Sequence, residues 1–419
     1  MAPSFVLLER DIYITPDEAV SGGRSIRWPW EGRDDPPTRQ EMTDVTTEYL
    51  RTFKPGVVVA DPPELSFLHI LLPFNRYLQN LSSCNISSAD KNLVALYAGA
   101  YRPGSRLPGG YLIYDARKDS LSVIPEIPEL PDESDPARHR ALGPVSAVVM
   151  RVAAGDDYVL AELVGVWPGC SEAALWLWRS SAAGWVLKPR RISLPSRFSC
   201  DLCFSFRGSI LCWVDLLRGM VLCDILDQDC KLSFIPLPKD CPAYDVLRPK
   251  YRHMSAKQFR SMACVRGDIK FVALDDCVQD QPAKGSEVTV WTLSPDLSGW
   301  NISSSYSVEN IWENEAFQPT GTLKLAPSFP VLSIHEHGVI YLILNHVKEL
   351  DNRLEYLSQS ILRVDMDNQK VKFYPQPREW SINFLTEMHE FSAYRQRLQD
   401  HPREIEGSEL GASGKRIKL

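Results

Sequence analysis

Short apolar runs of five to eight residues recur along this chain from about Val57, and turn-forming residues separate them. Runs of that length bounded by Gly, Asp, Asn or Pro are typical of β-strands, whereas amphipathic helices need longer stretches with a 3.6-residue period. The runs form five sets of three or four, so we predict an all-β chain. The sets cover residues 92–128, 145–195, 201–238, 259–308 and 330–377.

The five sets resemble one another, which indicates an internal repeat. In three sets the third strand ends in an acidic turn (LIYDARKDS, VLCDILDQD, LRVDMDNQK), and the next strand runs into proline (SVIPEIP, SFIPLP, KFYPQP). A four-stranded sheet with two apolar faces cannot bury both faces alone, so such repeats must stack. We therefore predict a β-propeller-like fold of five or six four-stranded blades. Two unrelated β-sandwiches remain the alternative, because both folds contain short strands at regular spacing.

The sequence pattern divides the chain into four segments. Residues 1–56 are predicted to hold one strand, at residues 5–14, and then a long polar loop without periodicity. Residues 57–377 are the predicted β-propeller-like domain. Residues 378–400 carry apolar residues at steps of three or four, from Trp380 to Leu398, which predicts an amphipathic helix. Residues 401–419 have no packing face and are predicted to be a flexible tail, including basic Lys415, Arg416 and Lys418.

The bulk composition favours an ordinary globular protein over a nucleic-acid or membrane protein. With 44% hydrophobic and 24% charged residues, the 419-residue chain can bury a core, and its net charge of -7 gives no electrostatic reason to bind a phosphate backbone. The N-terminal apolar run is only four residues long, unlike a secretory signal, and no uncharged apolar run reaches the roughly 18 residues of a membrane helix. We therefore expect an intracellular protein, cytoplasmic or nuclear, with its ten cysteines reduced.

Four cysteines lie close together in FSCDLCFSFRGSILCWVDLLRGMVLCDI, residues 198–225, and Cys200 and Cys203 form a C-x-x-C. A structural zinc site needs four ligands, yet no second C-x-x-C follows and no histidine lies between residues 200 and 241. A thioredoxin-like motif would continue into a helix, which FSFRGS does not resemble. Burial of the thiols as small apolar groups is the simplest interpretation, with a metal site and a redox site as alternatives.

Two histidines form the strongest metal-ligand candidate in the remaining sequence. His335 and His337 form an H-x-H on a predicted strand or at its junction with a turn, without an identified third ligand. A polar turn is the alternative interpretation. Known nucleophile, dinucleotide and phosphate-binding motifs do not occur, so we predict no catalytic residue, no cofactor and no metal.

The third set also carries a family resemblance. CWVDLLRGMVLCDIL followed by LSFIPLP resembles the central motif of a large plant family, expanded in grasses, that is named only as domain of unknown function 1618. The resemblance extends over roughly residues 5–377 and implies a β-propeller-like fold, similar to F-box-associated domains, with no catalytic residues. The matching positions, which we expect to be structural, are Trp213, Asp215, Arg218, Gly219, Cys223, Asp224 and Pro236.

These observations predict a non-enzymatic protein-interaction module. We expect a protein or peptide partner and neither nucleic acid nor a membrane, because repeated sheets occur without a convergent catalytic set. The alternative is a small-molecule-binding protein or a metal-dependent enzyme that uses the channel of the propeller, with His335 and His337 as the weak metal candidates.

Overall fold

The computed structural model describes most of the 419 residues, in many short ranges. No helix within these ranges is both long and apolar enough to cross a membrane. The described residues are 5–9, 12–16, 33–60, 62, 64–72, 84–99, 109–128, 139–141, 146–152, 156–166, 172–182, 184–188, 192–193, 198–227, 230, 232–241, 255–275, 285–313, 325–350, 353–376 and 385–389.

Two compact units make up the chain. Unit 1 contains Met1–Arg197 together with Met388–Leu419, and unit 2 contains Phe198–Glu387. The described ranges hold six sheets, and five of these contain a meander of four consecutive antiparallel strands. This confirms the predicted fold class, all-β and β-propeller-like, and the five repeats read from the sequence correspond to the five meanders.

The first sheet differs from the other five because it includes parallel pairs. It is built from β1 (Phe5–Glu9), β2 (Tyr13–Pro16), β3 (Lys54–Val58), β4 (Leu65–Leu72) and β27 (Leu385–His389). Both β1 and β2 run parallel to β4, β3 runs antiparallel to it, and β27 neighbours β1. Parallel pairing of strands that are distant in sequence leaves no hairpin signal, which is why the sequence did not predict this sheet.

The second and third sheets of unit 1 are built around meanders. The second contains β5 (Cys84–Asp90), β6 (Leu93–Ala98), β7 (Gly110–Asp115) and β8 (Ser120–Pro125). The third contains β10 (Ala147–Arg151), β11 (Tyr158–Val166), β12 (Glu172–Arg179) and β13 (Gly184–Leu187), with the short strands β9 (His139–Ala141) beside β11 and β14 (Ile192–Ser193) beside β12.

Unit 2 contains three sheets, each a four-strand meander. The strands of the fourth sheet are β15 (Leu202–Phe206), β16 (Ile210–Asp215), β17 (Gly219–Asp224) and β18 (Leu232–Pro236). Those of the fifth are β19 (Arg260–Val265), β20 (Asp268–Asp275), β21 (Glu287–Leu293) and β22 (Trp300–Ser307). Those of the sixth are β23 (Ser328–Leu332), β24 (Val339–Leu350), β25 (Arg353–Asp365) and β26 (Lys370–Gln376). A short helix, α2 (Glu309–Glu313), follows β22.

Helix α1, Arg39–Leu50, lies where the sequence predicted a polar loop over residues 15–56, so that prediction is wrong for residues 39–50 and for β3. A capping box starts the helix: the Thr38 hydroxyl accepts the Glu41 N–H at 3.2 Å, and the Glu41 carboxylate accepts the Thr38 N–H at 2.9 Å. The helix has few apolar residues, which hid its period.

Packing and one buried ion pair hold α1 in unit 1. Tyr49 and Leu50 at its C-terminal end are buried among apolar residues of the first two sheets. At its other end, Arg39 pairs with the buried carboxylate of Glu126, which also accepts a hydrogen bond from the Tyr97 hydroxyl at 3.0 Å. Tertiary contacts therefore stabilise a helix that its own sequence supports weakly.

The predicted helix over residues 378–400 is also wrong where the structure describes it. Leu385–His389 is the strand β27, which joins the first sheet. The spacing of its apolar residues suits a helix. In the structure, its backbone pairs with the neighbouring strand β1 and forms a strand instead. The rest of that segment and the predicted tail, residues 401–419, lie outside the described residues. The predicted strand at residues 5–14 is present as two shorter strands, β1 and β2.

Consecutive sheets pack face to face within each unit. In unit 1, one apolar cluster joins the first and second sheets and another joins the second and third. In unit 2, one cluster draws on all three sheets. The first strands β15, β19 and β23 lie side by side in unit 2, whereas the fourth strands β18, β22 and β26 each pair with a single described strand. The fourth strands are therefore the outer strands.

The acidic turns of the sequence repeat share one hydrogen-bond pattern. Asp115, Asp224 and Asp365 each end the third strand of a meander. Their carboxylates accept backbone N–H groups two or three residues further on, at 2.9 Å, 3.0 Å and 3.0 Å respectively. An aspartate in this position closes the turn by bonding the amides that the sheet leaves unpaired, so the repeated aspartates are explained by backbone satisfaction.

A second repeated contact ties consecutive sheets together. The Trp185 indole N–H at the start of β13 donates to the Pro125 carbonyl at the end of β8, at 2.8 Å. In unit 2, the Trp300 indole N–H at the start of β22 donates to the Pro236 carbonyl at the end of β18, also at 2.8 Å. Pro125 and Pro236, two of the prolines that mark the sequence repeat, thus each accept a hydrogen bond from a tryptophan of the following sheet.

We expect Gly219→Ala to destabilise unit 2 by about 3 kcal/mol, because Gly219 has φ of +150° and an added Cβ would lie 2.2 Å from the Ile235 carbonyl oxygen. The matched control is Gly267→Ala, where φ is also positive, at +87°, but no atom lies within 4 Å of the added Cβ. It should cost only about 1 kcal/mol. Urea unfolding measures both, and equal losses would contradict the close-approach argument.

Candidate functional site

The family-motif residues form the turn between β16 and β17. Trp213 on β16 is fully buried. Asp215 ends the strand, and its carboxylate accepts the Ser199 N–H at 3.0 Å, the Leu217 N–H at 2.9 Å and an Arg218 guanidinium N–H at 2.9 Å. Asp215 and Arg218 therefore hold the hairpin and its neighbouring segment by bonds within the protein.

The remaining motif positions extend from the same hairpin. Gly219 begins β17, and Cys223 lies in it with its thiol 3.7 Å from the Cys230 carbonyl. Asp224 closes the next turn, and Pro236 accepts the indole hydrogen bond from the fifth sheet. The structure thus spreads the motif along β16–β18 and does not bring its polar members together around a common point.

A mostly buried carboxylate supports the same turn from the other side. Asp201 accepts the Leu216 N–H at 2.9 Å, and the buried guanidinium of Arg260 donates to the Leu216 carbonyl at 2.9 Å. Burial raises the pKa of Asp201 to about 6, against the opposing hydrogen bond from Leu216 and the nearby charge of Lys257. The turn is therefore held by one group that titrates close to neutral pH.

The cysteines of residues 198–225 are packing groups. Cys200, Cys203, Cys212 and Cys223 are at most 4% exposed, which confirms their predicted burial. Burial raises the pKa of Cys200 and Cys212 well above the ordinary thiol value. A buried thiol with a raised pKa is a poor nucleophile. Within the described ranges, no three His, Cys, Asp or Glu side chains are grouped to hold a metal ion.

The two candidate histidines lie in the turn between β23 and β24, which confirms the polar-turn interpretation and excludes their placement on a strand. His337 is exposed, with Nδ1 2.8 Å from a carboxylate oxygen of Asp367, and the His335 carbonyl accepts a bond from Arg266 at 3.0 Å. Between them, Glu336 accepts hydrogen bonds from Tyr341 and Arg363, and the Arg363 contact lowers the pKa of Glu336. Through these contacts the polar turn is linked to the β19–β20 turn of the fifth sheet and the β25–β26 turn of the sixth.

A partly exposed apolar surface lies on the outer side of unit 2, and we call it the β22 margin. It consists of Leu237 and Trp300, which are half-buried, and Ile302, which is exposed. The Trp300 ring packs near Phe271, with ring centroids 6.2 Å apart, and its bond to Pro236 places it next to Leu237. Ile302 lies two residues after Trp300, on the same side of β22 because strand side chains alternate, and is 60% exposed.

None of the sequence-based predictions concerned the β22 margin. A signal was present in the two Gly-Trp pairs, Gly184-Trp185 and Gly299-Trp300, each at the start of a fourth strand. A second signal is β22 itself, an eight-residue strand without proline or charge. Both features are ordinary in isolation and gain meaning only when the outer position of β22 is known.

The chain matches a family model over part of its length. Residues 213–341 match a family described as Protein of unknown function (DUF1618), which is 129 of the 419 residues and includes all seven motif positions. The match supports the resemblance to a family of unknown function. A search of curated proteins finds no match.

Several solved structures are similar to the chain at low identity. The β-propeller domain of the Trilobed protease from Pyrococcus furiosus is 8% identical over 70% of this chain and 70% of that chain, with a TM-score of 0.33. Oligogalacturonate lyase from Vibrio parahaemolyticus is 8% identical over 67% and 61%, with a TM-score of 0.34. The β-propeller domain of Cps50 (Swd1) from Myceliophteria thermophila is 9% identical over 68% and 84%, with a TM-score of 0.30.

Trp213→Ala is expected to destabilise unit 2 by about 3–5 kcal/mol, because a fully buried indole leaves a cavity that the sheet cannot close. Thermal and urea unfolding of the full chain measure the loss. An unchanged unfolding midpoint would remove Trp213 from the core.

Asp201 should make stability depend on pH. Because its folded pKa, about 6, lies above the ordinary 3.8, its stabilising contribution is full below pH 3.8 and is lost as pH rises through 6. Each pKa unit corresponds to about 1.4 kcal/mol, so the loss amounts to about 3 kcal/mol in total, of which about 1.4 kcal/mol falls between pH 5 and 7.5.

The variant Asp201→Asn keeps an oxygen for the Leu216 N–H but cannot ionise. Relative to the wild-type chain, it should therefore gain about 1.4 kcal/mol of unfolding free energy when the pH is raised from about 5 to about 7.5. Urea unfolding of both chains in the same buffers measures this difference. A difference that does not change with pH would show that Asp201 titrates at its ordinary pKa.

Proposed function

We propose that this chain is a protein-interaction module without catalytic activity of its own. The observation that carries the proposal is the β22 margin, an apolar surface held by Trp300 on a well-packed sheet and ending in Ile302 at 60% exposure. Exposed apolar groups on a rigid support are the usual anchors of protein partners.

The roles of the polar groups agree with this proposal. Asp215 and Arg218 of the family motif are engaged with the β16–β17 turn, and Asp201 with the amide of Leu216. Catalytic groups must instead point at a reacting substrate. The resemblance to F-box-associated domains, seen in the sequence, is a further argument for a partner-binding role.

The test is partner identification by proximity labelling with the full chain in its native cell type. We expect a reproducible set of labelled proteins that a freely diffusing labelling enzyme does not give. Replicates without any enriched protein would count against an interaction module.

The alternative, a metal-dependent enzyme that uses His335 and His337, makes a different prediction. The purified full chain would then keep close to one equivalent of zinc after dialysis. The interaction module predicts less than about a tenth of an equivalent, because structural and catalytic zinc sites use three or four protein ligands. A stoichiometric metal that is lost in His337→Ala would overturn the proposal.

A further inference from the structure

We propose that the outer edge of β22 binds an extended, basic peptide segment as an additional strand. This inference rests on the proposed function and specifies the chemistry of its partner. Peptides that add to a sheet edge gain affinity from main-chain hydrogen bonds and specificity from alternate side chains.

β22 has neither the proline, the lysine nor the short length that protect many outer strands, and a bulge at Ser303 is the one such feature it carries. Edge strands are commonly blunted by proline, by lysine or by short length. In unit 2, β18 has only five residues and ends in Pro236, and β26 carries Lys370, Lys372 and Pro375. β22 has eight residues, Trp300–Ser307, with neither proline nor a charged side chain. It is therefore the outer strand of unit 2 that is best suited to accept another strand.

A bulge gives the edge its local shape. The pairing of β21 and β22 shifts between Val290 and Trp291, and the extra residue, Ser303, donates its hydroxyl to the Val290 carbonyl at 3.0 Å. The exposed residues around the bulge are small or polar, apart from Ile302. Ile302 is therefore the apolar anchor of the edge. The Trp300 indole beside it is held by its hydrogen bond to the Pro236 carbonyl, so the β22 margin needs no rearrangement before a partner binds.

The charges carried by residues 285–313, the segment that includes β22, favour one kind of occupant. From Gly285 to Glu313 the chain contains no Lys, Arg or His. Exposed Asp296 precedes β22, and exposed Glu287 and Glu309 lie at its other end. Hydrogen bonds from Ser294 and Ser298 lower the pKa of Asp296 to about 2, so this carboxylate stays ionised. Acidic groups at both ends of the edge favour a peptide with basic residues at both ends.

The same charges disfavour a second copy of this chain at the edge. Antiparallel pairing of β22 with itself would place Asp296 of each copy near Glu287 and Glu309 of the other, since the strand directions are reversed. Parallel pairing would place each acidic group near its own counterpart. Like charges that meet across an interface are destabilising, so the partner is a basic peptide of about eight residues, the length of the strand, with an apolar residue near Ile302.

The experiment measures fluorescence anisotropy of the labelled peptide KKTVTVTKK with the purified full chain. Two comparison peptides are EETVTVTEE, which reverses the end charges, and KKTPTPTKK, which removes two backbone N–H groups. We expect KKTVTVTKK to bind at least tenfold more tightly than either, and its affinity to fall as salt is raised from about 50 mM to about 300 mM. Hydrogen exchange should slow at residues 300–307 when this peptide is bound.

Ile302→Lys tests the site, because a lysine on an edge strand opposes strand addition and repels a basic peptide. Its matched control is Val186→Lys on β13, which places the same charge on an exposed residue of another outer strand, 54% exposed in unit 1. We expect Ile302→Lys to weaken binding of KKTVTVTKK at least tenfold and Val186→Lys to leave it unchanged.

Four outcomes overturn the inference. They are absence of binding, equal binding of KKTVTVTKK and EETVTVTEE, equal effects of the two lysine variants, and a dimer in sedimentation that Ile302→Lys dissociates. In proximity labelling, a partner set that survives Ile302→Lys unchanged would leave the interaction module standing and refute only the β22 edge. If the wild-type chain itself labelled no partner, the proposal of an interaction module would be refuted.

Discussion

Burial of two apolar faces per sheet is the constraint on which the rest of this structure depends. On β16, Cys212 and Val214 are fully buried on one face, and Leu211 and Trp213 are fully buried on the other. If only one face of such a sheet is covered, the apolar surface of the other face stays in water. The folded state then loses about 25 cal/mol of stabilisation for each Å² of that surface. The repeat along the sequence is the consequence, because each sheet needs another packed against it.

Close packing of sheets creates a problem for the backbone where strands end, and the polar side chains solve it. Turn amides have no partner in the strand ladders, and a nearby aspartate carboxylate can accept their hydrogen bonds instead. Asp115, Asp215 and Asp365 supply these acceptors at their turns. The buried guanidinium of Arg260 meets the opposite need, because it donates to a turn carbonyl. These charged side chains therefore stabilise the turns of the fold by bonding to the backbone.

The same constraint explains what the sequence could predict. The five meanders were predictable because each strand carries its own apolar run and each turn its own aspartate, glycine or proline. The first sheet was not, because β1 and β4 pair in parallel across more than fifty residues, and helix α1 depends on contacts such as Arg39 with Glu126. The strand β27 was mistaken for a helix because pairing, which the local pattern does not contain, decides its conformation.

The site was less predictable than the fold for a related reason. The sequence drew attention to cysteines, histidines and the motif around Trp213, because chemistry-bearing residues and repeats are visible in a single chain. Exposure is a property of the folded sheet, and Ile302 is indistinguishable in sequence from a core isoleucine such as Ile269, which is buried. Packing explains the buried residues of the fifth sheet, but it gives no reason for an exposed isoleucine on an uncharged outer strand. A binding partner would supply that reason, since it would cover an apolar side chain that the stacked sheets leave 60% exposed.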